Sequence, residues 1–327
     1  MLPFPDIGPT VVEIGAFQIR WYALAYVFSF VLGYIFIRRT QKQRGLKLSK
    51  EAYESLVFLL MVGVIVGGRL GYVLFYDLGY YLHHPLRIIL PFNFDNGFTF
   101  TGIMGMSFHG GALMAVLLGI WFARKHKISF FRLADPVLPW AAIGLALGRL
   151  GNFINGELYG RVTASRLGMI FPDAQGVPLQ GEQTQRVLGE LGWSVNQTAG
   201  TVTTAAGDTL SNLLHRGWDN AGQYATLINL PRHPSQLYEA FSEGILMAVI
   251  MFVILRYVYR DGIAFWTFVG FYGLFRFLIE FVRQPDAHLG FVLGPLTMGQ
   301  LLSSAMIIAG VVGLWLRFRA RETSDAI

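Results

Sequence analysis

One apolar stretch of this chain, FWTFVGFYGLFRFLIEFVR at 265–283, carries Arg276, Glu280 and Arg283 among residues suited to a lipid interior. Steps of four and three predict that all three share one helical stripe with Tyr272. A charged side chain at the bilayer centre costs roughly 3 kcal/mol unless it is paired or faces a polar cavity. Two arginines against one glutamate leave a positive excess, which suits an anionic ligand. A guanidinium can grip a phosphate through two parallel hydrogen bonds. The alternative is an Arg–Glu pair that only locks two helices together.

Three further places hold polar groups in apolar surroundings. The segment GLALGRLGNFINGELYGR at 144–161 puts Arg149 and Asn152 on one face, with Asn155 and Glu157 following. Its glycines let backbone N–H groups approach a ligand closely. Arg69 lies deep in VGVIVGGRLGYVLFY, and it either binds ligand or pairs with Glu239 or Glu243, which are one turn apart. His109 lies in GMSFHGG, where two glycines open space around an imidazole suited to proton transfer. Ser107 is two residues away and faces elsewhere on a helix, so a serine–histidine couple is not expected there.

Seven apolar segments must position these groups. They fall near 16–37, 55–76, 104–123, 134–154, 236–256, 262–281 and 297–316. The composition agrees: 54% of residues are hydrophobic, only 14% are charged, and the mean hydropathy is +0.47. Soluble domains carry about 25% charged residues. The expected fold is an all-α polytopic membrane protein with seven transmembrane helices. Alternate connections are basic, which places the N-terminus outside and the C-terminus in the cytoplasm. Residues 77–103 read as an interfacial arm or a re-entrant segment. Residues 157–235 read as a small extracytoplasmic head, with short strands at GMIF and YATLINL. The division is therefore 1–156, 157–235 and 236–327. Gly63, Gly67 and Gly71, like Gly144 and Gly148, have the spacing of tightly packed membrane helices.

Composition also excludes classes. The net charge of +6 does not indicate nucleic acid, because all five lysines lie in two short inter-span loops. Cysteine is absent, so any thiol in the chemistry comes from a partner. No basic leader with a small-residue cleavage site is seen, so a cleavable signal peptide is not expected. The histidines are scattered, so no metal and no cofactor is expected.

GRLGNFINGELYGR at 148–161 resembles the signature of the bacterial prolipoprotein diacylglyceryl transferases. The Trp21–Tyr22 pair, SFHGG at 107–111, RHPSQLYE at 232–239 and YGLFRFLIEFVRQPD at 272–286 resemble the same family, as do GGRLGYVLFY at 67–76 and MGQ at 298–300. The resemblance implies a seven-span enzyme of the bacterial inner membrane. It would move the diacylglyceryl group of phosphatidylglycerol to the lipobox cysteine of a prolipoprotein signal peptide, releasing glycerol phosphate. Positions carried over from the family are Tyr22, His109, Arg149, Asn152, Glu157, Gly160, Arg276, Glu280 and Arg283. The expected catalytic groups are His109, Arg149 and Arg276. The expected phosphatidylglycerol contacts are Tyr22, Arg149, Asn152, Glu157, Gly160, Tyr272, Arg276, Glu280 and Arg283. The region after Arg161 is longer than the family pattern suggests. The competing readings are an anion transporter, disfavoured by the missing internal repeat, and an intramembrane protease, disfavoured by the missing serine nucleophile motif.

Overall fold

A computed structural model of the chain describes all residues except 6, 9, 15–16, 44, 90–91, 94–98, 101–104, 220–221, 285–290, 295 and 323–327. A hairpin of β1 (Thr10–Ile14) and β2 (Phe17–Arg20) leads into α1 (Trp21–Gln43) and α2 (Lys50–Tyr76). Next come α3 (Leu78–His83), a 3₁₀ turn at Pro85–Ile88, and the short pair β3 (Phe92–Asn93) and β4 (Thr99–Phe100). Then follow α4 (Phe108–Lys125), α5 (Phe130–Ala134) and α6 (Leu138–Ile154). The polar insert holds β5 (Val177–Pro178), α7 (Glu182–Leu191), β6 (Ser194–Asn196), β7 (Thr201–Thr203), β8 (Thr209–Leu210), β9 (Leu214–Trp218) and β10 (Tyr224–Ile228). The chain then runs through α8 (Ser235–Glu239), a π-helical segment (Ala240–Leu246), α9 (Met247–Tyr257) and α10 (Ile263–Ile279). It closes with β11 (Phe291–Leu293), β12 (Leu296–Thr297) and α11 (Met298–Glu322).

Among the described residues, each of the seven apolar segments contains a helix, although the first also includes strand β2 at Phe17–Arg20. Among the described residues, five helical runs are long and apolar enough to cross a membrane: Ala23–Lys42, Lys50–Phe75, Phe130–Ile154, Ser235–Tyr257 and Met298–Arg319. The chain is thus mostly helical and polytopic. The other two segments form shorter helices, α4 with 18 residues and α10 with 17. At about 1.5 Å per residue each falls slightly short of a hydrocarbon core of roughly 30 Å.

The chain divides into two compact units. One comprises 32–137 and 259–262. Here α2 packs against α4 through glycines. A Cβ on Gly67 would meet the Gly110 carbonyl oxygen at 2.6 Å, and one on Gly71 would meet the Gly110 Cα at 2.6 Å. Small-residue spacing is therefore a packing device here, as the sequence suggests. The arm lies beside α2 and is pinned by Arg69. This guanidinium donates to the carbonyls of Ile88 (2.9 Å), Arg87 (2.5 Å) and Gly105 (3.2 Å), and it lies 4.9 Å over the Tyr81 ring. Neither sequence reading of Arg69 anticipated this role. Leu82, Leu86 and Ile89 of the arm are exposed.

The other unit comprises 1–31, 138–258 and 263–327. Its polar insert departs from the all-α expectation. Two three-stranded antiparallel sheets, β5–β10–β9 and β6–β7–β8, pack with α7 around Val162, Leu179, Val187, Leu188, Trp193, Val202, Ile228 and Leu230. YATLINL forms β10 as expected. GMIF forms no strand and contributes only an isolated bridge from Met169 to Arg232. Helix α7 was not foreseen, because its apolar face is no more than Val187, Leu188 and Leu191 beside Thr184. The N-terminal segment runs along the insert: Leu2 N donates to Gly168 O at 3.1 Å, and the Phe4 ring lies 5.1 Å from Phe171.

Candidate functional site

The charged residues of the second unit gather where α6, α8, the π-helical segment and α10 meet. Arg149 stands on α6, one turn before the helix ends. Its Nε lies 2.6 Å from Oε2 of Glu239 on α8. Asn152 is buried and donates from Nδ2 to Oε1 of Glu157 at 2.7 Å. Past Ile154 the chain bends sharply. Gly156 adopts φ +67° and Leu158 adopts φ +58°, a left-handed conformation that costs a non-glycine residue about 1–2 kcal/mol. Buried polar residues from the start of α8 hold this bend. Gln236 Nε2 donates to the Glu157 carbonyl at 2.6 Å, and Ser235 Oγ donates to the Leu158 carbonyl at 3.1 Å.

Gly160 then crosses the chain closely. Its N–H donates to His233 O at 2.8 Å, and its backbone bridges to Arg283. An added Cβ would lie 2.7 Å from the His233 Cβ, so only glycine fits. Arg232 braces the same loop from behind. It is 3% exposed, donates to the Gln175 carbonyl at 2.7 Å and lies 4.7 Å over the Tyr159 ring. Burial lowers the proton affinity of both Arg232 and His233 below their ordinary values.

The sequence stripe on α10 is only partly realised. Tyr272 and Arg276 lie on the helix, but regular helix stops at Ile279 and Glu280 to Val282 form a turn. Tyr272 is buried and stacks on Phe268. Arg276 Nη1 lies 2.6 Å from Glu280 Oε2. The other carboxylate oxygen of Glu280 accepts from Thr297 Oγ1 at 2.8 Å, and Gly299 leaves room for the group. Arg283 leaves the stripe and donates from Nη1 to Glu239 Oε1 at 2.9 Å.

Glu239 therefore holds Arg149 with one oxygen and Arg283 with the other, and it is 1% exposed. Sequence reasoning noticed this carboxylate but offered Arg69 as its partner. Its arginine partners come instead from α6 and from the turn after α10. Adding Glu243 from the π-helical segment, Arg149, Arg276 and Arg283 face Glu239, Glu243 and Glu280. The excess of positive charge read from α10 alone is thus offset by carboxylates from another helix. A bilayer interior explains the balance, since each uncompensated charge there is expensive.

His109 and Tyr22 complete the expected set. His109 belongs to the other unit, in the first turn of α4, with an exposed side chain. Ser107 caps that helix, its Oγ accepting from Gly110 N at 3.2 Å. Tyr22 falls in the first turn of α1, and its side chain lies outside the described residues, as do residues 285–286 of the QPD end.

A sequence model described as prolipoprotein diacylglyceryl transferase matches residues 9–316. A protein of Geobacter sulfurreducens named phosphatidylglycerol–prolipoprotein diacylglyceryl transferase is 42% identical over 310 residues, covering 95% of each chain. A protein of that name from Neisseria meningitidis is 40% identical, covering 98% of this chain and 99% of its own. A third, from Pseudomonas entomophila, is 37% identical, covering 100% of this chain and 99% of its own. With its charged cluster built from the same segments that carry the sequence resemblance, this chain belongs to the prolipoprotein diacylglyceryl transferase family.

Proposed function

We propose that this protein transfers the diacylglyceryl group of phosphatidylglycerol to a cysteine thiol of a prolipoprotein, the first step of lipoprotein maturation. The observation that carries the site assignment is the buried set of three arginines, each held by a carboxylate within 2.9 Å. Arg149 and Arg276 receive the phosphate of the lipid headgroup. Glu239 and Glu280 keep the two guanidinium planes oriented, and Arg283, Asn152, Glu157 and Tyr22 line the headgroup. Gly160 and Tyr272 keep the loop and α10 in register around it.

The sulfur attacks the glycerol carbon that bears the phosphate. As the S–C bond forms, the C–O bond breaks and its electron pair leaves with glycerol phosphate. Charge builds on the departing phosphate oxygens, where fixed guanidinium donors in a dry site stabilise it most. The thiol proton must leave, and a free thiol has a pKa of about 8.5. His109 is the proposed acceptor, and the arginine field favours the thiolate.

The receiving cysteine is that of a lipobox signal peptide, and the enzyme resides in the bacterial inner membrane. Seven crossings, with the N-terminus and the 157–235 head outside and the C-terminus in the cytoplasm, accommodate the basic loops. The bond between Leu2 and Gly168 supports placing the N-terminus on the side of the head. The arm at 77–103 lies in the interface, where exposed Leu82, Leu86 and Ile89 meet lipid.

The test is a purified-enzyme assay with a lipobox peptide and defined lipids. Mass spectrometry should show a diacylglyceryl adduct that appears only with phosphatidylglycerol. An Arg276→Ala enzyme that keeps full activity would overturn the phosphate role. A His109→Gln enzyme that stays active would move thiol activation to the arginines.

A further inference from the structure

Of the three carboxylates in the cluster, two are engaged. Glu239 spans Arg149 and Arg283, and Glu280 holds Arg276 and accepts from Thr297. Glu243 differs. It is 0% exposed, and neither of its carboxylate oxygens has a hydrogen-bond partner among the described residues. A buried carboxylate left in this way is rare and calls for a reason.

Its position is specific. Glu243 lies in the seven-residue π-helical segment, and such segments are uncommon beyond single turns and frequent at functional sites. Gly244 beside it packs onto α6 so closely that a Cβ would meet the Ala146 Cα at 2.8 Å. The segment is thereby seated against the helix that carries Arg149. The charged groups in electrostatic reach of Glu243 are Arg149 from α6, Glu239 from α8, Arg276 from α10 and Arg283 from the turn after it. Tyr272 on α10 is the neighbouring titratable hydroxyl. Helix α9 brings only Arg256 and Tyr257, at its far end.

Charge counting then decides the matter. With all six groups ionised, the three arginines and three glutamates sum to zero. A phosphodiester headgroup adds one negative charge. In a low-dielectric interior, an uncompensated charge is met by a change of protonation rather than tolerated. The carboxylate that yields is the one without a bonded partner.

We propose that Glu243 is the internal counter-ion of the arginine cluster before lipid arrives and takes up one proton when the anionic headgroup binds. This rests on the reading that Arg149 and Arg276 receive the phosphate. Carboxylate plus proton gives a neutral carboxylic acid, and the arginines exchange an internal anion for an external one. Glu243 acts through the arginines and is a positioning residue for the lipid.

The test uses the full-length protein in detergent with a short-chain phosphatidylglycerol and no peptide. Calorimetry in buffers of different ionisation enthalpy counts protons taken up per lipid bound. The expected count is about one for the native protein and about zero for Glu243→Gln. Linkage then makes native affinity fall with rising pH by up to about tenfold per unit, while E243Q stays flat and binds at least as tightly. The same count in a His109→Gln background removes the imidazole and needs no folded E243Q. Zero uptake by the native protein, or an unchanged count in folded E243Q, overturns the proposal. Adduct formation from phosphatidylglycerol in the peptide assay, together with zero uptake, sinks the counter-ion alone. Absence of any adduct sinks the reading beneath it.

Discussion

Two regions of this molecule put arginine into apolar helices and satisfy it differently. Beside α2, Arg69 gives its donors to three backbone carbonyls and its face to Tyr81. At the meeting of α6, α8 and α10, Arg149, Arg276 and Arg283 face carboxylates. Backbone carbonyls cannot titrate, and displacing them means moving the arm. Carboxylates can rearrange or take a proton, so an arriving phosphate can replace them. The first arrangement holds structure, and the second is the one proposed to exchange its carboxylates for the lipid phosphate.

The strongest way to break this contrast is to remove the shared carboxylate. Glu239→Ala leaves Arg149 and Arg283 facing each other without their anion. A buried pair broken on one side costs about 3–5 kcal/mol, so thermal unfolding in detergent should show a large drop. A stable E239A protein would mean that water or lipid already compensates those arginines.

Arg276→Ala tests the half proposed to bind the phosphate. Losing one donor to a developing anion costs about 10²–10³ in turnover, so adduct formation should fall by at least that factor with the fold intact. Arg69→Met is the matching change in the other region. It should lower unfolding stability by about 1–3 kcal/mol through orphaned carbonyls while keeping most of the turnover. If R69M lost activity as completely as R276A, the division between structural and exchangeable arginines would fail.

The smallest expected effect concerns His233, behind Gly160. Burial holds this imidazole below its ordinary value, so the unfolded chain binds the proton more readily. Stability from this group is complete above about pH 6.5, the ordinary histidine value, and is lost as the pH falls through the depressed one. Melting temperature should therefore decline gently on acidification, and His233→Gln should flatten that decline.

Much of this site was legible in sequence because intramembrane charge is conspicuous. Arg149, Arg276, Glu280 and Asn152 stood out against apolar neighbours, and the structure brings the first three into one cluster with Glu239. Less legible was anything that needed partners distant in the chain. Helical spacing carried Arg283 along α10, but the helix stops at Ile279 and Arg283 turns to Glu239. The π-helical segment has no periodic signature in AFSEGIL, so the offset of Glu243 was invisible. In the head, β10 was read correctly from YATLINL, while its partner strands were not, because strands of two to five residues are too short for alternation to be distinctive.

The amino-acid sequence by itself determined that this is a membrane protein with arginines and glutamates committed to its interior, because hydropathy and charge are local properties. It also identified the family, because the residues of that interior are carried in contiguous motifs. Only the tertiary structure decided which charge meets which. Pairing depends on how α6, α8 and α10 pack, and packing is a long-range outcome of small residues such as Gly160 and Gly244 that allow backbones to touch.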